Sequence, residues 1–469
     1  MCFAFLYKPN LFLCFLPVKT DIFIDKRDIM KKIFLFIGLF PTTVLANTQN
    51  CATMRHVPSK EISLQEVIEL GLCRNPQTAS AYMALKSAGY TKKSSYSYYL
   101  PSVTGHFNGE RNHTEHDDWD YGASLSVSYL IFDFGKRESD FAQSLAIYRA
   151  AGFDYDETIQ NYIFSLVASY YELLKSDADV KSANSALTVA QTAKNTADKK
   201  YKAGAVAKAD VYKADTTLAS SQLSLERAKN NREIAKATLL TALSFPSDDE
   251  IKIKDMPASF GSDAESEEIE KLIDIAKHKR PDLLKASAQT KASWHKRNSA
   301  FLKNLPSFSL NGTLNNNANS MDGMFDHITD KTSGKIGFSV SMPIFAGFSN
   351  LYNARSSNAD YESMKYNEKQ IENSAMMDVF SAYQNYKTAK TVLVQSESLL
   401  KSATESERVT SGMYKVGRAT MLDWQTAQSE LVDAQKQNNY AKYDLFVKRA
   451  SVALAIGDIK SGLKNNGRK

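Results

Sequence analysis

Apolar and polar side chains alternate along two short segments of the chain. In "GASLSVSYLIF" (residues 122–132) and "GKIGFSVSMPIF" (residues 334–345), nearly every second residue is apolar, and those between are mostly serine or glycine. A period of two predicts strands with one apolar and one small polar face. A weaker strand is predicted before each, after the "LPS" of residues 100–102 and of residues 305–307. The sequence therefore predicts two β-hairpins.

Two long stretches without proline have a helical pattern. No proline occurs between residues 102 and 245 or after residue 343, and both stretches are rich in good helix formers. Small and apolar residues at steps of three and four, as from Leu218 to Ala242, are typical of a coiled-coil seam. Each stretch is predicted to hold two helices, at about Lys136–Tyr201 and Lys208–Leu243, then at about Ser349–Met413 and Met421–Ile456. At 1.5 Å per residue the longest would measure roughly 100 Å, more than any globular core.

The chain repeats one phrase. "YKAGAVAKADVYKAD" begins at Tyr201 and "YKVGRATMLDWQTAQ" at Tyr414, and both have Tyr-Lys-x-Gly followed by an aspartate six residues after the glycine. The same order of a helix, two strands, a long helix, a turn and a shorter helix is predicted for both halves, which indicates an internal duplication. The predicted division is a first repeat at 60–246 (strand hairpin 102–132, long helices 136–243), a linker at 247–265, a second repeat at 266–458 (strand hairpin 307–345, long helices 349–456) and a polar tail at 459–469.

The two-faced strands favour a barrel between lipid and water. Four strands are too few to close a barrel, since about eight is the small end, and an open sheet edge is not stable in lipid. We therefore expect other copies of the chain to complete the sheet, and three copies would give twelve strands. Tyrosines and phenylalanines flank the strands, as in an interfacial girdle. The alternative, that these aromatics form the ordinary core of a soluble protein, stays open at this point.

The first residues carry an export signal. "MKKIFLFIGLFPTTVLA" (residues 30–46) has a lysine pair, an apolar core and a small-residue end, so it is predicted to be a signal peptide cleaved after Ala46. Residues 1–29 are then expected to be an over-extended start, the alternative being an N-terminal anchor. No later apolar run is long enough for a helical membrane anchor. Because an exported protein meets an oxidising compartment, Cys51 and Cys73 are predicted to form a disulfide.

Charge and motifs argue against several classes of function. The net charge of +6 is spread along the chain, so nucleic acid is not an expected partner. The segment "HTEHDDWD" (residues 113–120) contains metal-ligand types but falls in a predicted hairpin loop, which favours a solvated loop over a metal site. An enzyme reading would rest only on His113 and His116. We find no phosphate-binding loop or nucleophile elbow, and we expect no catalysis, no cofactor and no metal.

Taken together, the duplicated layout, the "LPS" before each strand pair, "YLIFDFGKR", "MPIFAGF" and the doubled "YK-x-G" phrase resemble TolC-like outer-membrane efflux and type I secretion channels. The resemblance runs from about Leu64 to Asp458. It implies an α+β membrane protein, in which a trimeric outer-membrane β-barrel with four strands per chain joins a long periplasmic α-helical coiled-coil tunnel. It also implies a homotrimer in the outer membrane of a Gram-negative bacterium, in contact with lipid, a periplasmic adaptor and an inner-membrane ABC or proton-driven transporter.

The resemblance assigns roles to the doubled phrase. Gly204 and Gly417 would lie at the periplasmic tips, where an adaptor docks. Asp423 matches an aspartate that forms an acidic ring at the tunnel entrance in the family. Tyr414 and Asp210 match a pair that holds the entrance closed.

Two positions depart from the well-studied family members. A second aspartate of the entrance ring is Thr426 here, so a double ring is not expected. A gate arginine is Ala419 here, and Arg418, one residue earlier, points about 100° away on a helix. The expected function is a passive exit channel for efflux or type I secretion, and the alternative is a periplasmic coiled-coil adaptor or scaffold without a pore.

Overall fold

The computed structural model describes residues 57, 60–113, 117–255, 269–318 and 332–459, with side chains for all of them except 112–120, 317 and 318. All belong to one compact unit, Cys51–Lys469. The predicted signal peptide, the segment before it, the end of the linker and residues 460–469 of the predicted tail lie outside these residues. Ile459, the first residue of that tail, is buried in the main apolar core.

The elements follow one another in two similar series. The first half contains α1 (Leu64–Arg74), α2 (Pro76–Ser94), a 3₁₀ helix (Ser95–Tyr99), β1 (Ser102–His113), β2 (Asp117–Phe132), α3 (Lys136–Lys202) and α4 (Lys208–Ala242). The second contains α5 (Ile269–Lys279), α6 (Pro281–Leu302), β3 (Ser307–Ala318), β4 (Thr332–Ser341), α7 (Ser349–Lys415) and α8 (Met421–Ala455).

The long helices agree with their predicted bounds to within two residues. Both α3 and α7 have 67 residues, or roughly 100 Å of helix, and both α4 and α8 have 35. We call α3 with α4 hairpin 1 and α7 with α8 hairpin 2. Among the described residues, no helix is both long enough and apolar enough to cross a membrane.

Proline divides the helical start of each half, which the sequence analysis treated as one helix. Pro76 and Pro281 are the first residues of α2 and α6. The residues before them, Asn75 and Arg280, have extended backbones with ψ of 124° and 123°. Proline disfavours a helical conformation in the residue before it, so the helix must stop and restart at this point. Both halves therefore begin with two helices.

The four strands form one antiparallel sheet in the order β1-β2-β3-β4. Pairing of Leu125 with Leu314, and of Leu310 with Phe338, places apolar residues of neighbouring strands on the same face. The opposite face pairs Ser128 with Asn311. The prediction that β4 continues to residue 345 is wrong, because the strand ends at Ser341, just before Pro343, which has no backbone N–H for a ladder hydrogen bond.

The apolar face of the sheet is exposed in the single chain. Its exposed members are Val103, Phe107, Leu125, Val127, Tyr129, Leu310, Leu314, Ile336, Phe338 and Val340. The flanking aromatics are exposed as well: Tyr96, Tyr98, Phe132, Phe134, Phe345 and Phe348. The alternative that these aromatics form an ordinary soluble core is therefore wrong. A large exposed apolar surface of this kind marks a lipid or protein contact.

The main apolar core lies midway along α3. Here the helix buries its face against α1, the ends of α4 and α8, and a short bridge between Ile62 and Ile253. Its fully buried members include Val67, Ile68, Ile163, Leu166, Val167, Tyr170, Tyr171, Leu239, Leu240 and Leu243. This core anchors the middle of hairpin 1, and the tips lie far from it along the helices.

Candidate functional site at the hairpin tips

Each hairpin turns on a glycine with a left-handed backbone. Gly204 has a φ of 72° and Gly417 a φ of 81°, and an added Cβ would meet no heavy atom within 4 Å at either. Backbone conformation, not space, therefore favours glycine. In hairpin 2, the Arg418 N–H donates to Met413 O at 2.8 Å and the Gly417 N–H to Tyr414 O at 3.1 Å. Hairpin 1 repeats both bonds, and this arrangement is the Schellman motif that ends helices.

Asp423 stands at the start of α8 in a capping box. The Asp423 N–H donates to Thr420 Oγ1 at 3.2 Å, and Asp423 Oδ2 accepts from the Thr420 N–H at 2.8 Å. The Thr420 hydroxyl also donates to Oδ2 at 2.7 Å. These bonds, first the one from the hydroxyl and then the one from the backbone, hold the pKa of Asp423 below its usual value. Asp423 is exposed, so its carboxylate is ionised and accessible at neutral pH.

Asp210 occupies the equivalent position of α4 without a capping box. The residue before α4 is Ala207, which has no side-chain oxygen, and only its carbonyl accepts from the Asp210 N–H, at 3.0 Å. Asp210 lies near Tyr414 of hairpin 2. Burial and, secondarily, the charge of Asp210 raise the pKa of the Tyr414 hydroxyl. Among the described residues, that hydroxyl has no hydrogen-bond partner, so the structure brings the predicted pair together without a bond between them.

Tyr414 belongs to a small core that joins the two tips. Its side chain is 2% exposed and its ring lies 5.1 Å from that of Trp424, centroid to centroid. Trp424 is fully buried and donates from Nε1 to Glu407 Oε1 at 2.9 Å. The remaining buried members come from both hairpins: Ala193, Ala197, Ala214 and Met421. Small residues on α3 and α4 let the aromatic pair of hairpin 2 approach closely.

A lysine crosses from one hairpin to the other at this core. Lys200, in the last turn of α3, donates from Nζ to the carbonyl oxygen of Tyr414. The same Nζ lies 4.2 Å from the centroid of the Tyr414 ring. Sequence analysis did not select Lys200, Trp424 or Glu407. Trp424 was detectable as a large aromatic inside the doubled phrase, whereas the other two acquire partners only when the hairpins pack together.

The remaining predicted site residues have fewer contacts. Arg418 is exposed, and its side chain makes no ion pair within the part of the chain that the structure describes. Cys73 is disulfide-bonded, while Cys51 lies outside the described residues, so this pairing stays a prediction. The side chains of "HTEHDDWD" all lie outside the described residues as well. No group of three or more potential metal ligands occurs among the residues that are described.

Comparison with known proteins supports the architecture. The model of the outer membrane efflux protein family matches residues 67–244 and 272–458, which include both hairpins and the sheet. "Outer membrane protein TolC" of Vibrio cholerae is 23% identical over 424 residues, covering 86% of this chain and 94% of the relative. "Toxin and drug export protein A" of Aggregatibacter actinomycetemcomitans is 21% identical over 398 residues, covering 82% and 84%.

A solved structure has the same fold. The outer membrane channel CmeC of Campylobacter jejuni superposes with a TM-score of 0.73 at 20% identity, over 86% of this chain and 88% of that chain. Channels of this type work with inner-membrane transporters and adaptors. The family match covers most of the chain, and it places the protein in the outer membrane with a periplasmic helical part. This chain belongs to the outer membrane efflux protein family, and it is an outer-membrane channel of the efflux and type I secretion kind.

Proposed function

We propose that three copies of this chain assemble into one passive exit duct. The observation that carries this proposal is the sheet: its apolar face is exposed, and within the described residues of one chain β1 and β4 each pair on one side only. Unpaired edges in lipid leave backbone groups unsatisfied, so the edges call for strands from other copies. Three four-stranded sheets would close a barrel of twelve strands, which is above the small limit of about eight.

We further propose that the tips are the periplasmic entrance and the docking point for an adaptor. The turns at Gly204 and Gly417 lie at the far ends of the helices from the sheet, and their backbones are open to a partner. One relative is named as a toxin and drug export protein, which supports a role together with either an ABC or a proton-driven transporter. In this arrangement the transporter supplies the energy and selects the cargo, and the duct performs no chemistry of its own.

Asp423 is proposed to supply the charge at that entrance. Three copies would place three carboxylates in a ring, which attracts cations and repels anions. The capping box supports this role, because it fixes the carboxylate and keeps it ionised. Thr426, one turn later, adds no second charge, and its hydroxyl donates back to Leu422 O at 3.0 Å.

Assembly and conduction together test the duct. The purified full chain is analysed by mass measurement in detergent and by conductance in planar lipid bilayers. We expect a trimer and discrete conductance steps. A monomer that inserts without conductance would contradict the duct and favour a scaffold without a pore.

Selectivity tests the ring. Asp423→Asn removes the charge, and Thr420→Ala removes the cap but keeps the carboxylate. We expect the first variant to lose cation preference, seen as a smaller reversal potential in a salt gradient, and the second to retain it. Equal reversal potentials for Asp423→Asn and the original protein would exclude the ring.

A further inference from the structure

The side chain of Lys200 makes two contacts with one residue of the other hairpin. The Tyr414 carbonyl belongs to the last turn of α7, where backbone oxygens lack the N–H donor four residues later. It accepts from the Gly417 N–H at 3.1 Å, which leaves a second lone pair for another donor. Lys200 Nζ donates to this oxygen, and the lysine charge faces the Tyr414 ring at 4.2 Å from its centroid. Lys200 thus acts as a side-chain cap for a helix of the opposite hairpin.

Both contacts of Lys200 stabilise the packed tips, and this geometry allows the lysine to make them at the same time. A cation at a helix C-terminus meets the negative end of the helix dipole, and a cation over an aromatic face is attracted by the ring quadrupole. Lys200 is half-buried and Tyr414 is buried, so water screens these attractions less than on an open surface. Neither contact survives if the tips separate, because the donor lies on α3 and the acceptors on α7.

The second hairpin offers no equivalent contact. The position that repeats Lys200 is Met413, which is 44% exposed and carries no charge. Arg418 points to solvent, and Ala419 packs against the tip core. Within the described residues, the cation in contact with Tyr414 is therefore Lys200 alone.

We propose that Lys200 is the latch that holds the two hairpin tips together and keeps the entrance narrow. This proposal rests on the proposed function, in which the tips form the entrance. The latch acts through the Tyr414 carbonyl and ring, and it does not require the Tyr414 hydroxyl, which has no partner among the described residues. Opening then requires Lys200 to leave both groups as the hairpins move apart.

Single-channel conductance of the full-length protein in planar bilayers tests the latch. Lys200→Met replaces the lysine by the residue that the other hairpin has at this position. We expect the ratio of open to narrow states to rise on the order of tenfold. Lys200→Arg keeps the charge and should stay close to the original protein. Lys202→Met, in the same turn and exposed, is the matched control and should not change the ratio.

A second variant separates the latch from a hydroxyl-based gate. Tyr414→Phe keeps the ring and the carbonyl, so it should leave the ratio unchanged, whereas a gate built on the hydroxyl would open. Circular dichroism of each variant confirms that the helices are intact. An unchanged ratio in Lys200→Met, or an equal opening in Tyr414→Phe, would overturn the latch while leaving the channel in place. An original protein without any conductance would overturn the duct, and the latch with it.

Discussion

Helices α4 and α8, which occupy equivalent places in the two halves of the chain, end with the same backbone turn. Different side-chain contacts stabilise the two turns. Ser244 has a φ of 59° and Gly457, its repeat 213 residues later, a φ of 75°. Near Ser244, Arg74 donates to its carbonyl at 3.1 Å and stacks over Phe245 at 4.1 Å, beside the main apolar core. Near Gly457 lies a separate, smaller apolar cluster, and charged residues around Arg280 supplement it. Its buried members are Leu272, Ala276, Val379, Ala382, Tyr386, Val452 and Ala455.

This difference shows what an internal duplication preserves in this protein. The Schellman bonds are identical in kind: Phe245 N–H to Leu240 O at 2.9 Å, and Asp458 N–H to Ala453 O at 2.8 Å. The side chains around them differ, from apolar packing in the first half to ion pairs in the second. The backbone path is thus the common feature, and each half stabilises it with its own chemistry.

The largest expected effect comes from exchanging the two left-handed residues. A Cβ at position 457 would lie 2.8 Å from the Arg280 N and Cα atoms, which are backbone and cannot move away cheaply. Gly457→Ser should therefore lower the free energy of unfolding by about 4 kcal/mol, from overpacking together with left-handed strain. Ser244→Gly should raise it slightly, by less than about 1 kcal/mol. Chemical denaturation in detergent measures the free energy of unfolding of both variants. Changes of equal size would mean that the ends of α4 and α8 tolerate the exchange equally.

The second effect concerns Arg280 and its repeat, Asn75. Arg280 pairs with Asp282 at 2.7 Å and with Asp378 at 3.0 Å, and its own side chain is 12% exposed. Although burial alone would raise the pKa of Asp282, the hydrogen bond and charge of Arg280 outweigh it and lower that pKa. Arg280→Met leaves Asp282 without its cation, so we expect a loss of about 3 kcal/mol in the same denaturation experiment.

Two controls place this effect in context. Asn75 accepts from the Gln77 N–H at 2.7 Å as the cap of α2, so Asn75→Ala should cost only about 1 kcal/mol. Lys279→Met removes an exposed pair with Asp458 and should cost less than about 1 kcal/mol. If Arg280→Met lowers the free energy of unfolding no more than these two variants do, Arg280 contributes no more to stability than its repeat, Asn75.

The success of sequence analysis also differs between regions. Helix bounds, strand faces and the turns at Gly204 and Gly417 follow from local signals, namely proline, periodicity and glycine, and the structure agrees with them. The helix breaks at Pro76 and Pro281 have an equally local cause, although the predicted order of elements has a single helix there. Lys200 could not be found in this way, because its partner is 214 residues distant and its repeat is a methionine. A comparison of the two half sequences does not reveal contacts that form between the halves.

A third prediction exchanges the caps at the two tips. Ala207 has an extended backbone with a ψ of 154°, suited to a capping residue, and Asp210 stands three residues later. Ala207→Thr should create the capping box that Thr420 and Asp423 already form, and it should stabilise the start of α4 by about 1 kcal/mol. Thr420→Ala should destabilise the start of α8 by a similar amount. Amide hydrogen exchange in the first turn of each helix reports these changes. Unchanged exchange in both variants would show that packing alone fixes the tips.

The smallest expected effect is a pH dependence that belongs to one tip only. The Thr420 hydroxyl and N–H lower the pKa of Asp423 in the folded protein, so its capping bonds contribute fully above the unfolded value of about 3.9. That contribution is lost as the pH falls through the folded pKa, which lies lower. Exchange in the first turn of α8, corrected for its intrinsic pH dependence, should thus stay constant from pH 7 to about 4.5 and accelerate below that range. The first turn of α4, which begins after Ala207, should show no such step, and Ala207→Thr should introduce it there. A step at both tips of the original protein would show that it arises from a group other than the Asp423 cap.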